Sequence, residues 1–211
     1  MITFYTWHGP NSRKVAIMLE EIAAPYTVSL VDITKNEQHK PDFLRISPNN
    51  KIPAIVDHDP AGGGGPRALF ESGAILLYLA EKSGRFMPAG GQARADALSW
   101  LLWSMSGLGA TLPQFHYFGD REAETAPAVL MRFNDETIRL FKILERRLAE
   151  TEYLAGEYSI ADMPTYASTV GQMPNVKKKL GAKLGPTPGI DRWIAAVGAR
   201  PAVARGMRVP S

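Results

Sequence analysis

The sequence predicts two folding classes in tandem: an α/β domain built on a mixed four-stranded sheet, then an all-α domain. Three observations carry this. Strand-like and helix-like segments alternate over residues 1–82, whereas only helical periodicity is found over residues 92–211. Residues 83–91 hold Gly84, Pro88, Gly90 and Gly91 and read as a linker between the two. Finally, 45% of the 211 residues are hydrophobic, enough to bury a core and too many for a disordered chain.

The elements follow in order. Residues 2–5 are short and β-prone, and His8-Gly9-Pro10-Asn11 is a turn cluster. Asn11 or Ser12 is placed to cap the next helix, in which Val15, Met18, Leu19 and Ile22 recur at helical spacing. Residues 26–31 read as a second strand, 41–46 as a short helix, and 52–56 as a strand entered through Pro53. A glycine-rich loop at 61–66 leads to a strand at 68–70, and 72–82 forms a helix with Ile75, Leu76 and Leu79 on one face. A parallel crossover followed by a hairpin makes a mixed sheet. In the second domain, 93–108 is helical with Leu98, Leu101 and Leu102 apolar. Residues 125–151 form a long helix with the stripe Leu130, Phe133, Thr137, Leu140, Leu144 and Leu148. Ser159-Ile160-Ala161-Asp162 has the form of a capping box with Asp in place of Glu, and 190–197 and 201–207 read as further helices.

Composition narrows the chemistry. The formal charge is +3 with scattered basic residues, and the run Lys177-Lys178-Lys179 with Lys183 reads as a solvated helix end, so no nucleic-acid partner is expected. The N-terminus reads as a strand and turn without the pattern of a signal peptide, and no apolar run is long enough to span a bilayer. A cytoplasmic protein with no membrane association is expected. His8, His39, His58 and His116 lack metal-ligand spacing, so no metal site is expected. There is no cysteine, so any thiol chemistry must use a sulfur brought by a ligand.

Three local features can carry a ligand, and each has a plainer alternative. The loop Gly9-Pro10-Asn11-Ser12-Arg13 ends a strand and starts a helix, where free N–H groups favour an anion such as a thiolate; Asn11 and Ser12 are equally good turn and cap residues. In Lys51-Ile52-Pro53, a cis bond would turn the Ile52 backbone outward toward an extended peptide, with Lys51 supplying a charge for a carboxylate. A trans proline would merely open an edge strand. In Phe70-Glu71-Ser72-Gly73, Ser72 can cap the helix or help grip a carboxylate, with Glu71 facing an ammonium group. Tyr5, near the end of the first strand, reads as a core or cleft-lining residue.

Taken in order along nearly the whole chain, the first-helix loop, Asn50-Lys51-Ile52-Pro53, Phe70-Glu71-Ser72-Gly73 and Ser159-x-x-Asp162 resemble the glutathione transferase superfamily. Residues 43–58 and 69–79 resemble its bacterial nu class, which is related to a yeast nitrogen-regulation prion protein and is associated with glutathione-dependent disulfide reduction. The resemblance implies a thioredoxin-like domain at 1–82, a linker at 83–91 and a helical domain at 92–211. It implies glutathione, reduced or as the disulfide, as co-substrate, with Asn11 near its sulfur. Gln38, Lys51, Ile52, Glu71 and Ser72 would hold the peptide beside Pro53, and Arg132 would reach it from the long helix. The helical segment from Trp100 to Gly109 and the run Gln114-Phe115-His116-Tyr117-Phe118 also resemble the class and would wall a second-substrate cleft. The second substrate would be a disulfide, a peroxide or a small electrophile, with disulfide reduction first, and the protein would be a homodimer. A non-catalytic glutathione-binding or regulatory protein on the same fold is the alternative. The chain departs from the class at Gly9, where a Thr is usual, and at Ser12, where the residue is usually small, so one hydroxyl has moved across the loop and Ser12 joins Asn11 as a candidate for thiolate stabilisation. Residues 163–185 match the class poorly.

Overall fold

The computed structural model describes residues 1–210. Its elements in chain order are β1 (Ile2–Thr6), α1 (Pro10–Glu21), β2 (Tyr26–Leu30), α2 (Pro41–Leu44), β3 (Ala54–Asp57), β4 (Arg67–Phe70) and α3 (Ser72–Ser83), followed by α4 (Gly91–Trp103), α5 (Gly109–Gly119), α6 (Pro127–Glu150), α7 (Asp162–Thr169), α8 (Met173–Leu184), α9 (Pro188–Gly198) and α10 (Pro201–Gly206). The chain packs as two compact units: residues 1–89 together with the segment from Gly198 onward, and Gly90–Val197.

The first unit is built on the sheet β2-β1-β3-β4. β1 and β2 are parallel, with Ile2 opposite Tyr26, while β3 is antiparallel to both β1 and β4. Alternation along β1 puts Ile2, Phe4 and Thr6 on the buried face. α1 departs from the single apolar stripe of an ordinary surface helix, because Lys14, Val15, Ala16, Ile17, Met18 and Leu19 are all fully buried. Two-sided cover explains this, since α1 packs on both α3 and α10. Gly206 of α10 crosses so close that a Cβ there would lie 2.6 Å from Ile17 Cα, which only glycine permits. Arg200 grips Glu21 at 2.6 and 3.1 Å, and Arg205 Nε lies 2.6 Å from Glu20, which also accepts the Tyr26 hydroxyl at 2.7 Å. Helical periodicity finds α10 in the sequence but is silent about which surface it covers, so the sequence division assigns it with the helical domain while the packing groups it with the sheet. Asp57, fully buried at the end of β3, accepts the Tyr78 hydroxyl and the Lys82 ammonium and so ties α3 to the sheet.

The second unit is helical. The helix expected to end at Leu108 continues through a π-helical turn at Ser104–Leu108 into α5, despite Pro113. Gly107 lies where a Cβ would come 3.0 Å from Leu140 Cδ2, so it serves close packing. α6 buries Thr137, Ile138, Leu140, Phe141, Leu144 and Leu148, the stripe its periodicity predicts. The lysine run lies on α8, where Lys177 pairs with Asp191 at 2.7 Å and Lys179 donates to the Gly119 carbonyl at 3.1 Å. Asp162 is fully buried. Its carboxylate accepts the N–H groups of Leu154 and Ser159 at 3.0 Å each, the Ser159 hydroxyl at 3.3 Å and Trp193 Nε1 at 2.9 Å. Among the described residues, no helix is long and apolar enough to cross a membrane.

Candidate functional site

Topology gathers the candidate residues of the first unit at one end of its sheet. β1 ends there; β3, antiparallel to it, begins there; β4, antiparallel to β3, ends there, with Tyr5 opposite Ala54 and Ala54 opposite Phe70. α1 follows β1 and α3 follows β4, so both helices start at this edge.

The start of α1 differs from both capping alternatives read in sequence. Gly9 occupies the cap position at φ 152°, no side chain caps the helix, Pro10 stands in the first turn, and Asn11 and Ser12 follow inside it. Proline is pre-organised for that turn and lacks the N–H that would need a partner, which draws the helix start upstream of Asn11. Asn11 is exposed. Ser12 is 1% exposed, and its Oγ is buried with no hydrogen-bond partner. A hydroxyl in that state has lost its water and gained nothing in return.

The start of α3 repeats the arrangement. Glu71 holds the cap position with no side-chain cap bond, and Ser72 is the first residue of the helix rather than its cap. Glu71 sits at φ 67°, a strained conformation for a residue with a Cβ, and such strain persists only where the surroundings over-determine it. Its exposed carboxylate accepts Asn49 Nδ2 at 3.1 Å. Ser72 is buried.

Between these starts lies the approach to β3. The Ile52–Pro53 bond is cis, as expected, and Ile52 stands outside the β3 ladder, which begins at Ala54. Ile52 packs with Tyr5 and Ile46 on the cluster of Val31, Phe43 and Ala54, while Lys51 is exposed and lends its carbonyl to the Ser47 hydroxyl at 2.8 Å. Gln38 lies on a short 3₁₀ turn, Glu37–His39, which reaches the same loop through a 3.3 Å contact between His39 Nδ1 and Asn50 Nδ2; Gln38 Oε1 is buried without a partner. Tyr5 rests against Phe43 with ring centroids 6.1 Å apart and lines a cavity of about 280 Å³ with Val31 and Ile46. Arg132 lies on α6 in the helical unit, exposed and 3.5 Å from Glu136.

Lys14 escaped the sequence reading. It is fully buried on α1, two residues beyond Ser12, and burial pushes its ammonium down to about 8 against the opposing pull of Glu71. The signal available in sequence was a lysine beside the apolar positions of a helix that follows directly on a candidate loop. Among the described residues, no group of acidic or histidine side chains could hold a metal ion. The site brings hydrogen-bond donors and acceptors together around two helix starts.

Comparison with known proteins agrees. Residues 8–82 match the family model for the glutathione S-transferase N-terminal domain. The chain is 43% identical over 208 residues to the disulfide-bond oxidoreductase YfcG of Escherichia coli, covering 98% of this chain and 94% of that protein. A glutathione transferase family member from Pseudomonas fluorescens, crystallised with two glutathione molecules, superposes with a TM-score of 0.90 at 38% identity, covering 99% and 93% of the two chains. A glutathione transferase from Pseudomonas putida, crystallised with one glutathione disulfide per subunit, gives 0.91 at 36% identity, covering 100% and 92%.

Proposed function

We propose that this chain, which belongs to the glutathione S-transferase family, binds glutathione where α1 and α3 begin and uses its sulfur to reduce disulfides. The observation that carries the reading is the pair of helix starts at one sheet end, each without a side-chain cap and each with a buried serine in its first turn.

The residues fit the peptide. Ser72 and the first-turn N–H groups of α3 suit the γ-glutamyl carboxylate, and the exposed Glu71 suits its ammonium. The Ile52 backbone, free of the ladder, suits the peptide groups, and Lys51 suits the glycyl carboxylate. Gln38 Oε1 is an acceptor in want of a donor. Asn11, the Ser12 hydroxyl and the first N–H groups of α1 suit the sulfur. Hydrogen bonds and helix-end charge there favour the thiolate, which is the form that attacks a disulfide. The chain has no cysteine, so the reacting sulfur comes from the ligand. Arg132 enters this reading on the family resemblance alone.

Disulfide reduction is preferred over transfer to an electrophile or peroxide for two reasons. The chain is closely similar to a disulfide-bond oxidoreductase, and similar structures hold two glutathiones or one glutathione disulfide. A homodimer belongs to the same proposal, and it is consistent with the exposure of Phe70, Leu102 and Met131. Sedimentation at micromolar concentration should give twice the chain mass. The test of function is glutathione-dependent turnover of a small-molecule disulfide, followed through regeneration of glutathione. Turnover proportional to protein is expected. Stoichiometric retention of glutathione without turnover would make this a binding protein, and no retention at all would remove the site.

A further inference from the structure

We infer that Asn49 is a positioning residue of this site: its side-chain amide holds the Glu71 carboxylate in place for the ammonium group at the γ-glutamyl end of glutathione. The inference rests on the function proposed above, in which Glu71 meets that ammonium.

Asn49 Nδ2 donates to Glu71 Oε1 at 3.1 Å, joining the loop ahead of β3 to the start of α3 across 22 residues of sequence. A carboxylate only accepts hydrogen bonds, so the amide nitrogen is the atom that faces it. Both residues are exposed, so the bond competes with water and adds little to stability. Its effect is on the geometry of Glu71. An unrestrained glutamate loses rotamer freedom when a ligand pairs with it, and that loss is subtracted from affinity. Asn49 moves part of the loss from binding to folding. Because the donor is neutral, Glu71 keeps its negative charge for a cation, which a lysine or arginine in the same place would cancel.

The backbone on each side of this bond is fixed. In the turn that carries Asn49, the Asn50 N–H donates to the Ser47 carbonyl at 2.9 Å, and the fully buried Ser47 donates its hydroxyl to the Lys51 carbonyl at 2.8 Å. Asn50 stands at φ 49°, with its amide 3.3 Å from His39 Nδ1. Across from it, Glu71 is held at φ 67° in the cap position of α3, and its carbonyl accepts the Ile75 N–H at 2.9 Å. The Asn49–Glu71 bond therefore sets a carboxylate between two fixed supports.

Calorimetry with two ligands tests this: glutathione, and the analogue in which hydrogen replaces the γ-glutamyl amino group. The proteins are the parent, Asn49→Ala, Glu71→Gln and the double variant, with melting curves to confirm folding. Asn49→Gly, also suited to a turn, takes the place of Asn49→Ala should that variant not fold. The parent should bind the analogue more weakly than glutathione. Asn49→Ala should weaken glutathione binding about three- to tenfold, the size expected for freeing one long side chain, and should leave analogue binding within about twofold. Its KM for glutathione should rise while turnover at saturation stays at the parent's value. In the Glu71→Gln background, Asn49→Ala should change glutathione affinity by less than about twofold. An equal loss for both ligands in Asn49→Ala would make Asn49 part of the loop's architecture, and no loss for glutathione would mean that Glu71 is held without it; either result overturns the inference. A parent that binds both ligands equally overturns the role given to Glu71 and the inference with it. A parent that binds neither overturns the proposed function instead.

Discussion

The helix starts of the two units are closed differently. In the helical unit, a carboxylate seals the start of α9, and the turn leading into α7 is closed by its own side chains. Ser159 and Asp162 exchange hydrogen bonds ahead of α7, with Ser159 Oγ also accepting the Ala161 N–H at 3.2 Å, while Glu145 accepts the N–H groups of Gly189 and Ile190 at 2.9 Å each. In the sheet unit, α1 and α3 carry capping-competent residues, Asn11, Ser12 and Ser72, none of which caps its helix. The starts of α4 and α6 are also uncapped, but their first-turn side chains are exposed or only half-buried, so water can serve those N–H groups. At α1 and α3 the missing cap coincides with a buried serine in the first turn, and the Ser12 hydroxyl there has no partner. A sealed start thus reads as architecture and an unsealed, desolvated one as a site.

That contrast can be broken by mutation. The largest effect should come from the sealed side. Asp162→Ala strands three buried N–H groups and should lower stability by about 3–5 kcal/mol in denaturant unfolding, without altering the KM for glutathione in the folded protein. Burial pushes the Asp162 carboxyl up to about 6, outweighing the hydrogen bonds that hold it down. Its contribution to stability is therefore full below the ordinary value near 3.8 and lost as pH rises through about 6. The difference in melting temperature between the parent and Asp162→Asn should shift across that window and stay flat above it. Next, Asn11→Ala should cut disulfide reduction at neutral pH by about 10²-fold, with partial recovery at higher pH and little change in melting temperature. Ser72→Ala should weaken glutathione binding by about 1.5–3 kcal/mol while leaving turnover at saturation intact, because the carboxylate contact is the same in ground and transition states. Smallest is Ser12→Ala. Removing a buried hydroxyl that has no partner should leave stability unchanged or slightly raised, with a few-fold loss of turnover. A clear loss of stability there would make Ser12 architectural and erase the contrast.

The order of elements and the residues at the sheet end were legible because alternation, turn clusters and short motifs are local signals. The limits are equally physical. α1 was read as one apolar stripe through Val15, Met18 and Leu19, but cover from α3 and α10 buries Lys14, Ala16 and Ile17 as well, so the lysine was overlooked. α5 has no counterpart in the sequence pattern, because it continues from α4 through a π-helical turn that the 3.6-residue period does not report. Ser12 and Ser72 were read as possible caps because composition reveals which residues can cap a helix, and only the backbone reveals where the helix begins.

The most direct test is amide hydrogen exchange with and without saturating glutathione, with binding verified independently by calorimetry. The account predicts that the amides of Asn11, Ser12, Ser72 and Gly73 gain protection on binding while those of Ala161, Gly189 and Ile190, already sealed by Ser159 and Glu145, do not change. Saturation with no change at the starts of α1 and α3 would contradict it.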